Sequence, residues 1–206
     1  TYGRGRILPD YRRVALYGVD VLVRRKRADL ADLGQQARAS AGRLSCCDGT
    51  FKLRDEIARQ VDALTDLAAM ARCYGFDVTK PAADARQAIQ WTYFAYLAAV
   101  KEHDGAAISL GRLDAFFDVY IEQDIKSGAL TEAGAQELID HLVIKLRLVR
   151  QLRPKAYDEI FAGDPVWATL CIGGARYTGG GHLVTKTSWR FLRSLVNLGP
   201  APEPNF

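Results

Sequence analysis

The stretch A-I-Q-W-T-Y-F-A-Y-L-A-A-V, residues 88 to 100, decides how the chain is read. It is the longest apolar run in the sequence. A bilayer-spanning helix needs about 20 such residues, and Gln90 and Thr92 interrupt this one. Apolar side chains cover most of the circumference that a helix of these residues would have, so it belongs at the centre of a core. A buried helix of this kind requires other elements to cover it, and the rest of the chain supplies candidates.

Helical periodicity runs on either side. Val14, Tyr17 and Val21 open one amphipathic helix, and Leu53, Ile57, Val61, Leu64, Ala68 and Ala71 share a face of a second. Gly75 is a stop for that helix, and Pro81 suits the first turn of the central one, which runs to Gly105. Leu113, Phe116, Phe117, Tyr120 and Ile121 mark a fourth, ending near Gly128. Thr131 and Glu132 give a fifth its N-cap and its first-turn acid. Leu138, Leu142, Leu146 and Val149 form its stripe. The pattern breaks after Pro154. Val166 to Ile172 reads as a short buried strand, residues 164 to 184 as glycine-rich loops, and Lys186 to Leu198 as a last helix. The expected fold is mostly α with a few short strands, a section of something larger, with no internal boundary in residues 1 to 206.

The 206 residues are 49% hydrophobic, with a mean hydropathy of −0.10, as a soluble globular chain requires. No apolar leader opens the chain, so a cytoplasmic location is expected and no membrane. The net charge of +4 gathers near the start. Arg24-Arg25-Lys26-Arg27 reads as a solvated helix face, with nucleic acid not expected as a partner. Cys46, Cys47, Cys73 and Cys171 lack C-x-x-C spacing, so no metal site is expected and the thiols are read as reduced. His103, His141 and His182 have no partners at metal or triad spacing.

Two segments carry candidate chemistry. In Y-G-R-G-R, residues 2 to 6, the glycines permit close approach to a ligand, and an inward arginine would grip a carboxylate through two parallel bonds. A surface turn with solvated arginines fits the same residues. In F-A-G-D-P-V-W-A-T-L-C-I-G-G, residues 161 to 174, aromatics before a short strand could wall a pocket or be ordinary core. Spacing alone gives no reaction.

Longer stretches say more. Y-G-R-G-R-I-L-P-D-Y-R-R-V-A-L-Y-G-V-D from residue 2, the central helix from 88, G-A-A-I-S-L-G-R-L-D-A-F-F-D-V-Y-I-E-Q-D from 105 and Y-D-E-I-F-A-G-D-P-V-W-A-T from 157 closely resemble the pyruvate formate-lyase family of glycyl radical enzymes. L-V-T-K-T-S-W-R-F-L and G-P-A-P-E-P-N fit it too. The resemblance implies a helical section of a ten-stranded α/β barrel. It implies a parent enzyme, a formate C-acetyltransferase, that converts pyruvate and coenzyme A to acetyl-CoA and formate by glycyl and thiyl radical chemistry in anaerobic metabolism. Coenzyme A would be a co-substrate, and this chain would hold no bound cofactor. A separate radical S-adenosylmethionine activating enzyme and a homodimeric parent are implied as well.

By the same resemblance Arg6 falls on the arginine that grips the pyruvate carboxylate, and Ala106, Phe161 and Trp167 fall on pocket residues. The family's catalytic Cys-Cys pair and radical glycine would lie beyond Phe206, leaving no catalytic residue here and making the chain inactive alone. Cys46-Cys47 is then a decoy pair of incidental thiols. R-V-A-L-Y at 13 to 17 is a second decoy, since Leu16 stands where a radical loop needs glycine. Leu170 and Cys171 replace polar residues usual in the family, and Cys171, for which a pocket-facing thiol is the alternative, is read as a small core residue. Alternatives are a related 2-ketobutyrate formate-lyase, or a non-catalytic helical remnant or binding module.

Overall fold

A computed structural model describes residues 8–39, 48–103, 107–150, 156, 159 and 163–206, with the backbone alone at 36–39 and 48. Packing groups the chain into two compact units, Arg13–Ala82 and Thr1–Arg12 with Ala83–Phe206. No composition break marks either junction.

The Arg13–Ala82 unit holds nearly all of α1 (Arg12–Ala39) and α2 (Asp48–Cys73). α1 is broken at Gly18, where φ is 70° and ψ 160°. The segment after α2 lies against that break: the N–H groups of Val19 and Asp20 donate to the carbonyls of Val78 and Thr79, and the Ala82 N–H donates to the Ala15 carbonyl. The break also changes which face is buried. Val14 and Ala15 before it are followed by Val19 and Leu22, in place of the expected Val21. In α2, Ile57, Val61, Ala68 and Ala71 are buried as their spacing requires, while Leu53 is exposed. Gly75, at φ 81°, closes α2 with its N–H donated to Arg72.

The larger unit contains α3 (Ala85–His103), β1 (Ile108–Gly111), α4 (Asp114–Ser127), α5 (Glu132–Leu148), β2 (Ala168–Leu170) and α6 (Lys186–Leu198). α3 begins four residues after Pro81, because Asp84 and Gln87 form a reciprocal cap. The Gln87 N–H donates to the Asp84 carboxylate at 2.7 Å, and the Ala83 N–H to the Gln87 side chain at 3.0 Å. α4 ends at left-handed Gly128, and the Thr131 hydroxyl caps α5. α6 keeps the expected bounds through a reciprocal Thr185–Ser188 cap.

β1 has no counterpart in the sequence expectation. It pairs in parallel with β2, Ile108 opposite Ala168 and Ser109 opposite Thr169. Asn205 adds a parallel partner on the other side of β2. Parallel strands need cover on both faces, and the helices provide it. The core joins Ile108, Leu110, Ala168 and Leu170 to Tyr96, Phe117, Ile139 and Phe191. α3 buries Ile89, Trp91, Phe94 and Tyr96, as its composition demands.

Candidate functional site

Among the described residues, two with side chains adopt left-handed backbone, and they are neighbours. Ala107 has φ 64° and Trp167 has φ 57°. Each immediately precedes the first paired residue of its strand, and the Ala107 N–H donates to the Val166 carbonyl at 3.0 Å. Such a conformation costs on the order of 1 kcal/mol per residue and collects where a ligand has to be held. Along residues 167 to 171 exposure alternates: Trp167, Thr169 and Cys171 are exposed while Ala168 and Leu170 are buried. Trp167 is 37% exposed and therefore not core.

Cys171 is exposed too, which corrects its reading as a small core residue. Leu170 is fully buried, on the core side.

Behind Trp167 lies Glu203, 1% exposed. One of its carboxylate oxygens accepts the Ala168 N–H at 2.6 Å. Burial raises its pKa, and the N–H groups of Ala168 and Trp167 and the charge of Arg150 oppose the rise. The loop that carries it is clamped by Arg147, whose guanidinium donates to the carbonyls of Glu203 (2.9 Å), Leu198 (3.1 Å) and Gly199 (2.9 Å). The sequence reading missed Glu203. Its only signal is an acid set between prolines in G-P-A-P-E-P-N.

The glycine-rich stretch after β2 is likewise fixed. Buried Asp114 accepts from the Ser188 hydroxyl (2.6 Å) and the Gly173 N–H (2.7 Å). Arg112 donates to the carbonyls of Ala175 and Leu183.

Of the predicted site residues only Trp167 can be placed; Arg6, Ala106 and Phe161 lie outside the described residues, as do Cys46 and Cys47. A cavity of about 300 Å³ is lined by residues 8 to 12 and 110 to 113. It opens at the end of β1 opposite Ala107, and Trp167 does not line it. Among the described residues no cluster of His, Cys, Asp or Glu could hold a metal, and no helix is long and apolar enough to cross a membrane. In the basic run, the Arg25 guanidinium covers the Tyr17 ring at 4.4 Å and Lys26 pairs with Asp29 at 3.6 Å.

The family described as pyruvate formate lyase-like matches residues 1–206. The chain is 54% identical over 205 residues to formate acetyltransferase 1 of Escherichia coli. It is 53% identical over 204 residues to the PFL-like enzyme TdcE of the same organism, and 53% over 205 residues to formate acetyltransferase of Haemophilus influenzae. These matches take in 99 to 100% of the chain but 26% of each relative. The chain thus spans about a quarter of the length of the curated relatives it matches. Among solved structures, hydroxyproline dehydratase of Clostridioides difficile superposes with a TM-score of 0.73 at 17% identity, over 95% of this chain and 27% of that one. The B12-independent glycerol dehydratase of Clostridium butyricum gives 0.65 at 21%, over 96% and 27%. At these identities the likeness shows the fold: a mostly helical section of the glycyl radical enzyme barrel.

Proposed function

This chain belongs to the pyruvate formate lyase-like family, and from that premise we propose that it is the carboxylate-binding and pocket-wall section of a formate C-acetyltransferase. The complete enzyme would convert pyruvate and coenzyme A to acetyl-CoA and formate. The identity along the whole chain to two formate acetyltransferases carries the reading. The exposed, left-handed Trp167 beside Ala107 supports it from the structure.

In this proposal all 206 residues are one partial domain. Arg6 holds the pyruvate carboxylate by a bidentate pair, which fixes where the ketone carbon points. Ala106 leaves room beside the substrate, and Phe161 and Trp167 present apolar faces that exclude water. The radical chemistry itself comes from cysteine and glycine loops outside these residues, installed by a separate radical S-adenosylmethionine activating enzyme. A cytoplasmic homodimer is the expected form of the parent.

Substitution of Arg6 tests the reading. In the full-length enzyme, Arg6→Ala is expected to lower pyruvate turnover about 100-fold, while electron paramagnetic resonance shows normal radical content. Near-normal turnover would sink the assignment. Competition between pyruvate and 2-ketobutyrate on the same enzyme measures the preference between the two acids, which a carboxylate clamp alone does not set.

A further inference from the structure

We infer that Glu203 is a positioning residue that holds the backbone of Trp167, and through it the indole, at the pocket wall. The inference rests on the pocket-wall role proposed for Trp167.

The argument starts from the strand ladder. Asn205 runs parallel to β2, its N–H donating to the Ala168 carbonyl at 2.9 Å and its carbonyl accepting from the Leu170 N–H at 2.8 Å. In a regular parallel ladder the Ala168 N–H, on the same edge of β2, would donate to the main-chain carbonyl of residue 203. Here that carbonyl is occupied by Arg147. The Glu203 side chain turns back and puts its own oxygen in the vacated position, 2.6 Å from the Ala168 nitrogen. The peptide so held is the one joining Trp167 to Ala168, and the Trp167 N–H also acts on the same carboxylate.

Trp167 adopts φ 57°, a conformation that residues with side chains keep only when their surroundings impose it. A buried carboxyl fixed through Arg147 and Asn205 is a rigid partner for that purpose.

The test uses the full-length protein labelled with 5-fluorotryptophan, the Trp167, Trp91 and Trp189 resonances being assigned by single Phe substitutions. Glu203→Ala, and Glu203→Asp, whose carboxylate is too short to reach Ala168, are expected to shift and broaden the Trp167 resonance alone. Glu203→Gln keeps an acceptor oxygen and is expected to leave it in place. In kinetics, Glu203→Ala should raise KM for pyruvate about tenfold with radical content unchanged, and Glu203→Gln should restore it. An unmoved Trp167 resonance in both Ala and Asp variants would overturn the inference. So would equal movement of Trp91 and Trp189, the sign of a general structural role, or a normal KM in Glu203→Ala when Trp167→Ala is impaired. A normal KM in Trp167→Ala with the resonance shift present would instead fell the pocket-wall reading and leave the positioning role standing.

Discussion

At Gly18 the main chain takes φ 70° and ψ 160°, a region that residues with a Cβ essentially do not visit. A Cβ built there would stand 2.3 Å from the Thr79 carbonyl oxygen and 2.5 Å from the Lys80 carbonyl carbon. Both obstacles are backbone, held by the bonds from Val19 and Asp20, so neither can swing aside. Gly18→Ala is therefore expected to destabilise the fold by about 3 kcal/mol or more, read as a lowered denaturant midpoint with an unchanged slope. A loss under about 1 kcal/mol would mean that the 78–82 segment can be displaced cheaply. The sequence hides this residue, because the apolar spacing of Val14, Tyr17 and Val21 carries on across the glycine as though the helix did. Trp167 is the converse case. Spacing left it open between pocket and core, and only its exposure and its left-handed backbone take it out of the core.

Elements with local signals were legible to within a residue or two, save the start of α3, which the Asp84–Gln87 cap sets four residues after Pro81. Lys186–Leu198 forms as expected because its capping residues are adjacent in sequence, and Thr131 and Gly128 act where their chemistry places them. β1 was missed for the opposite reason: I-S-L-G is too short for a period, and its partner lies 60 residues on. Arg190 in α6 shows what such distant partners do. Its side chain is 6% exposed and reaches Glu122 at 3.0 Å, Glu132 at 2.5 Å and Asp118 at 3.8 Å. The Glu132 carboxyl is held below its ordinary value by the bond from Arg190, with Lys186 adding to it. For Glu122, burial pulls upward but the bonds from Lys186 and Arg190 outweigh it. Both folded values lie below the ordinary glutamate value of 4.5. The stability they contribute is therefore full above that value and is lost as pH falls through the folded values. Arg190→Met is expected to cost about 2 kcal/mol at neutral pH and to flatten that acid slope in chemical denaturation followed against pH. A slope as steep as in the unsubstituted chain would show that other carboxylates set it.

At the scale of the whole molecule, the notable surface is the outer face of α6. Trp189, Leu192 and Val196 recur at helical spacing, with Trp189 65% and Val196 71% exposed. α6 buries Phe191 and Ser194 on one side, yet large apolar groups stand on the other. A helix surrounded by water on that side would carry Lys or Glu there. The resemblance to a barrel wrapped in helices made this legible in outline, since a section of such a wall keeps faces meant for other parts of the wall. The 206 residues expressed alone are accordingly expected to self-associate, with an apparent mass in light scattering that rises with concentration. Trp189→Lys combined with Val196→Lys breaks the stripe at both ends without touching the buried side, and should return the chain to a monomer with unchanged helix content. If the unsubstituted chain stays monomeric at high concentration, this face is tolerated in water and the exposed stripe is not what drives association.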